Sequence, residues 1–368
     1  MGATEMVRQW RHGLEELLPS LHGHVLNGLA VFSVAMALAG HCHSGRLAAV
    51  APSPRARAAS RQRRWERLLS NRRLRPAEAM GLLSRAVAPS LGSGTGTGPV
   101  RRVVLILDET PGGVKGRLRC MKLSIAYRKR AVPIAFECYE PRRPPVPMPK
   151  LLWRLLRRAA RSLPKNCEVT LLADRGLSWP GVLDCCTALG WHYVLRLQRD
   201  TRVRFAGKVV KGAWEPAGWR GSRWLCTAVD VFKDAGWRRG NVVAAWERGC
   251  KEPWLLVSDL PATFARCRNY CKRAWCEQLH RDEKSHGFNW QLSRVRDPSH
   301  AGRLVLVMAL ATLLCLSVGT HVIKRGLRRM LEPAGRRLLS VFQLGLRRLR
   351  DCLVHARDCP CQLYLYPS

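Results

Sequence analysis

Acidic side chains are scarce in this chain: Asp and Glu number 26 among 368 residues, against 63 Lys and Arg, for a formal net charge of +37. That shortage excludes a body whose charges balance internally, because self-repulsion on this scale strains a compact state until a polyanion neutralises it. Nucleic acid is the natural partner, since each phosphate contact releases condensed counterions. Composition alone leaves a ribosomal or chromatin-like binder open, and also an arm meeting anionic lipid. The basic residues run along the whole sequence, so the folded body itself is expected to be positive and suited to clamping DNA. Arginine dominates them, which suits bidentate phosphate contacts, although a GC-rich genome gives the same bias.

Long apolar runs are missing as well. Residues 25–40 are interrupted by Asn27, and the run 304–319 stops about four residues short of the roughly 20 that span a bilayer. Both read as buried helices, with no membrane role. The first also stands too far in, behind a charged amphipathic start, for a secretory signal. The 15 cysteines lack paired metal-ligand spacing: neither His41-Cys42-His43 nor Cys352, Cys359 and Cys361 has a partner pair. They read as reduced, mostly buried small hydrophobes of an intracellular protein. The glycines of 90–99 lack the following Lys-Ser/Thr and the preceding strand of a phosphate-binding loop. That stretch reads as a flexible linker.

What is present divides into two patterns. Residues 1–90 look helical: Leu14, Leu17, Leu18 and Leu21 recur at helical spacing, an apolar helix follows, and a basic run over 61–69 carries Trp65. Two or three short helices ending in a basic one suit a DNA-binding module, such as a helix-turn-helix, or simply a solvated basic face. Beyond the linker the pattern becomes strands. Val103 to Leu107 ends in Asp108; segments 123–127 and 132–136 flank a basic turn; 150–163 reads as an amphipathic helix; and 169–173 ends in Asp174. Pro133 suggests an edge or irregular position. Trp-rich strands at about 193–258 precede helices over 264–285 and 304–318. This order implies a mixed α/β fold.

Asp108 and Asp174 share a context, each directly after a buried strand, where an α/β sheet places its active site. Two carboxylates on neighbouring strands could hold divalent cations that stabilise the attacking and leaving oxygens of a phosphodiester displacement. Each alone is equally a turn former or helix cap. Tyr270, Arg273, Glu277 and Lys284 are spaced so that one continuous helix would carry all four on one face. Such a face offers one carboxylate for a metal, with a phenol, a guanidinium and an ammonium for phosphates. Glu283 is a rival third acid on the opposite side of that helix.

Tyr270-x2-Arg273-x3-Glu277-x6-Lys284 resembles the Tyr-Arg-Glu-Lys signature of DDE transposases of bacterial insertion sequences, in the insertion-sequence-four family. The run 277–289, Leu107-Asp108-Glu109-Thr110 and Leu172-Ala173-Asp174-Arg175-Gly176 are similar to that family's segments too. The resemblance covers roughly 100–320. It implies a ribonuclease-H-like α/β catalytic core over 100–325, with a β-rich insertion at 193–258. A helical DNA-binding domain over 1–90, a linker over 91–99 and a basic helical region over 326–368 complete the expected layout. It further implies Asp108, Asp174 and Glu277 as catalytic ligands of Mg²⁺, for which Mn²⁺ substitutes, and Tyr270, Arg273 and Lys284 as DNA-binding residues. Double-stranded DNA, as inverted-repeat ends and target, would be the substrate of a homodimer working by cut-and-paste in the bacterial cytoplasm, at the nucleoid. The Trp residues of the insertion could stack a flipped base, as in relatives, or simply fill a small β core. His286 is a further candidate for proton transfer or a helix-end contact. Two departures stand out: Cys276 replaces the usual hydrophobic residue before the glutamate, and His280 the usual aromatic after it. An inactive or domesticated relative that binds a DNA sequence without cutting it is the alternative.

Overall fold

A computed structural model describes residues 1–53, 55–91, 101–211, 218–333 and 335–366. The glycine-rich stretch expected as a linker lies almost wholly outside them, as does Trp214.

The continuous apolar run of β1 (Arg101–Gly112) places successive side chains on two faces. Val103, Leu105 and Leu107 enter the main core, while Ile106 lies in a smaller cluster on the reverse side. β2 (Leu118–Tyr127) and β3 (Arg130–Tyr139) continue as an antiparallel meander. Both strands are longer than the apolar segments that signal them. Pro133 sits on the edge strand at a register shift, where its missing N–H leaves no gap in the ladder. Helix α6 (Met148–Ala160) buries Leu151, Leu152, Leu155, Leu156 and Ala159 along one stripe. The chain then returns as β4 (Cys167–Ala173), parallel to β1, and after α7 (Pro180–Leu189) as β5 (His192–Arg196), parallel to β4.

Residues 193–258 are rich in strands, as expected, and those strands extend this same sheet instead of closing a separate β unit. β6 (Arg202–Phe205), β7 (Lys208–Lys211), β8 (Arg223–Val231), β9 (Arg238–Ala245) and β10 (Trp254–Ser258) follow β5. β10 pairs antiparallel with β5, giving ten strands in the order β3-β2-β1-β4-β5-β10-β9-β8-β6-β7. The residue range expected for the insertion therefore contains β5, which completes the five-stranded mixed part of the sheet.

Residues 1–91 form five helices, α1 (Ala3–Leu17), α2 (Gly23–Ala39), α3 (Ser44–Val50), α4 (Ala58–Ser70) and α5 (Pro76–Leu91). Trp10 donates to Ser33 Oγ at 2.9 Å, joining α1 to α2. Trp65 turns inward against Phe32, 5.0 Å between rings, so the basic α4 is pinned by its one aromatic side chain. Two further helices, α8 (Ala265–Cys271) and α9 (Trp275–Glu283), cover the reverse face of the sheet.

The main core is organised around α10 (Pro298–Lys324), a 27-residue helix capped by Asp297, whose carboxylate accepts from the His300 N–H. It is longer than its apolar run because polar residues at its start find partners: buried Arg303 donates to the carbonyls of Leu69 and Leu74. By length and composition it is long enough to cross a membrane, but its apolar window is entirely buried inside the molecule. It packs against α2, β3 and α11 (Val341–Val354).

The α10–α11 crossing depends on missing Cβ atoms. A Cβ on Gly319 would lie 1.8 Å from the Val341 carbonyl oxygen, and one on Gly345 would lie 1.8 Å from that of Cys315. Gly345→Ala must push the helices apart, an overpacking cost of about 3 kcal/mol, and a lowered denaturant midpoint would register it. Gly13→Ala on α1 meets nothing within 4 Å and should be neutral or stabilising by about 0.5 kcal/mol. An unchanged midpoint in Gly345→Ala would refute the crossing.

Candidate active site

Parallel pairing sets the first two acids side by side. Leu107 is level with Ala173, so Asp108 and Asp174 follow at the same height where β1 and β4 carry the chain outward. Both stand on the reverse face, in step with Ile106 and Leu172. Asp174 does two jobs. Its Oδ1 accepts from the N–H groups of Gly176 and Leu177 at 2.9 and 3.2 Å, as a turn former would, and its Oδ2 accepts from Arg273 at 2.8 Å.

The third acid arrives on α9. The sequence spacing suggests one continuous helix, but the backbone tightens into a 3₁₀ turn at Lys272–Ala274 between α8 and α9, and α9 ends at Glu283. The four signature residues therefore do not share one helical face. Tyr270 is buried, its ring set edge-on to Trp254 at 5.4 Å, and burial pushes its phenol up to about 12. Lys284 lies past the helix end and donates to Thr110 Oγ1 at 2.7 Å. Burial, then the neighbouring Lys122, lowers its pKa.

Arg273 stands where the three acids meet. Its Nη2 lies 3.0 Å from Asp108 Oδ1 and 2.8 Å from Asp174 Oδ2, and its Nη1 lies 2.5 Å from Glu277 Oε1. Burial opposes the guanidinium charge, yet Asp108 and its neighbours outweigh that and raise its pKa. Asp108 is only 6% exposed. Burial pushes its carboxyl above the ordinary value, and Arg273 and the Cys276 thiol pull it part of the way back.

Two residues unremarked as site members in the sequence also meet Asp108. Cys276 donates its thiol to Oδ2 at 2.9 Å, and His280 Nδ1 is 3.5 Å from the same oxygen. Burial, then Lys122, Lys284 and Arg273, lowers the imidazole to about 2, which keeps the ring neutral. Their i, i+4 spacing on a helix beginning at Trp275 is the signal that could have found them. Glu283 belongs elsewhere. It forms a fully buried ion pair with Lys122, whose ammonium lies 4.9 Å from the Trp290 ring centroid. His286 is exposed; its backbone carbonyl accepts from Gln343 Nε2 at 2.8 Å.

The extended sheet buttresses this site. Glu252, just before β10, binds Arg175 beside Asp174 and also Arg196 at 2.9 Å, while Gln198 donates to the Arg175 carbonyl at 3.0 Å.

A buried carboxylate needs a positive partner, and three acids around one guanidinium leave the cluster short of positive charge. Donor atoms of Asp108, Cys276 and Glu277 lie within 4.8 Å of one another, a spacing one ion can bridge. The carboxylate oxygens of Asp108 and Glu277 are the hard donors a divalent cation prefers, while Asp174 lies outside this group of three.

The profile of the transposase DDE domain matches residues 101–314, more than half of the chain, a span that includes Asp108, Asp174, Arg273 and Glu277. No curated protein matches. Transposases with this domain generally use divalent metal ions.

Removing the guanidinium should leave the acids uncompensated. Arg273→Gln is expected to cost about 2 kcal/mol, well below a fully buried pair because Glu277 is half exposed. In chelator its melting temperature should fall by a few degrees, and Mn²⁺ should raise it by more than it raises the wild type. Equal shifts in both proteins would contradict a guanidinium that stands in for a cation.

Proposed function

Because the chain belongs to the transposase DDE-domain family, we propose that it is an active insertion-sequence transposase of the insertion-sequence-four type. It would cleave double-stranded DNA at inverted-repeat ends and join them to a target. The observation that carries this reading is the convergence of Asp108, Asp174 and Glu277 on a single guanidinium, at a site flanked by further cations. A net charge of +37 supplies the attraction for a polyanionic substrate.

The three carboxylates would hold two Mg²⁺ ions, or Mn²⁺, which supply activation of the attacking hydroxyl and stabilisation of the leaving oxygen. This chain's residues do the rest. Asp108 and Asp174, fixed by β1 and β4, set the spacing of the ligands. The turn that Asp174 caps is locked by Arg175, Glu252 and Gln198, so the second ligand keeps its direction. Neutral His280 and Cys276 close the site from the helix side and exclude water from Asp108 Oδ2. Arg273 turns from the acids to the phosphate beside the cut, and Lys284, aimed by Thr110, meets the next. Tyr270, packed under Trp254, steadies the α8–α9 junction from which Arg273 projects, adding to the DNA grip from beneath.

Trp219, 69% exposed, is a candidate among the described residues of the insertion for stacking a flipped base. A homodimer would bring two ends together, at the bacterial nucleoid, with residues 1–90 contributing to end binding and the basic segment 326–368 adding charge.

The test is metal-dependent nicking of duplexes carrying the element's own ends. Asp108→Asn, Asp174→Ala and Glu277→Gln should each lose at least about a thousandfold in cleavage, while end binding stays within a few-fold of wild type. If wild type cuts no better than Asp174→Ala, the chain is instead a relative that binds DNA without cutting it.

A further inference from the structure

A basic groove lies on the same face of the sheet as the acid cluster, and one of its walls is backbone held in an uncommon conformation. β2 and β3 are joined by a loop of two residues, Arg128 and Lys129, with Tyr127 and Arg130 as the last pair. Both loop residues have positive φ, 47° and 61°. A two-residue hairpin needs that geometry, which is why Asn-Gly is its preferred sequence. Arg and Lys have no such preference, and strain of this kind concentrates where a side chain is used.

The tip is also held rigidly. Arg130, the next residue, lies 3.2 Å from Asp282 and donates to Gln278 Oε1 at 3.3 Å, both on α9. Across from it the groove is lined by Lys272 and Trp275, at the α8–α9 junction, and by Arg102, which pairs with Glu168. No acid is among the described residues that line it. Lys272 is the residue before Arg273, and Arg102 stands six residues before Asp108 on the same face of β1, about 20 Å along the strand. That separation between groove and acids corresponds to about six base pairs of duplex.

The geometry points to this groove as a phosphate-binding track for the DNA flanking the cleaved bond, with Arg128 and Lys129 on one wall and Lys272 on the other. The inference rests on the transposase reading for its ligand. The cost of two unfavourable backbone conformations is offset when both charges meet consecutive phosphates, each contact releasing counterions.

The loop offers a discriminating test, because the sequence that best fits the turn is also the one that removes the charges. Binding is read in chelator by fluorescence anisotropy on a labelled duplex of about 20 base pairs, across a salt series, beside thermal melts. The double variant R128N/K129G should melt at or above the wild-type temperature. It should bind about tenfold more weakly at low salt, with the slope of log affinity against log salt reduced by about 1.8. Lys272→Gln, outside the turn, should reduce the slope by about 0.9. Wild-type affinity and slope in both variants would overturn the track. If the double variant melts lower, Lys272→Gln alone decides. If wild type binds no duplex at all, the transposase reading fails with it; a salt-sensitive wild type with unaffected variants sinks only the groove.

Discussion

One guanidinium shared among three carboxylates holds the site together. Like charges a few ångströms apart repel by about 4 kcal/mol per pair at an effective dielectric near 20. Asp108, Asp174 and Glu277 therefore need a cation at their centre simply to coexist on a largely apolar face. Arg273 meets that need at 2.5–3.0 Å from all three. Everything else near the site follows from holding those ends in place. The parallel register of β1 and β4 brings the aspartates level, the 3₁₀ turn between α8 and α9 swings Arg273 between them, and the insertion's Glu252 ties down the residue after Asp174.

How far the site was legible depended on whether a residue's position is set locally or by the fold. Asp108 and Asp174 could be read because a β-branched apolar run ending in an acid is a local pattern, and parallel neighbours put such ends together. Glu277 and Arg273 were legible through their i, i+4 spacing, which holds over a single helical turn. Lys284 and Tyr270 were not, because their places depend on a helix tightening and then ending, and Lys284 finds its partner on β1 instead. Cys276 and His280 could be noticed only as departures from a family pattern. Their contact with one oxygen of Asp108 exists only once α9 lies across β1.

The fold divides along the same line. Short β-branched apolar runs marked β1 and β4, and a helical stripe marked α6. The apolar run in the C-terminal half correctly indicated a buried helix but understated its length, because Arg303 is satisfied by carbonyls more than 200 residues away in sequence. Nor could strand propensity reveal that the Trp-rich segment joins the existing sheet through β10 and β5. That pairing is antiparallel and long-range, and side chains at the end of β10 fix it: Ser258 donates to the Tyr193 carbonyl, and Asp259 accepts from the Tyr193 N–H.

Two conflicts of local preference against global structure remain, and both involve positive charge. Arg273 is drawn deep among acids, and Arg128 and Lys129 occupy a turn that suits Asn-Gly. In a chain with 63 basic residues, repulsion should favour moving cations apart and outward. A polyanion bound on the reverse face of the sheet would resolve the two conflicts together. Phosphates beside the acid cluster would give Arg273 a second partner if a metal took its place among the acids, and phosphates further along the groove would reward charges that free protein gains nothing by concentrating there. The free protein would then be less well satisfied than its complex, as expected where a site is shaped for the bound state and not for stability alone.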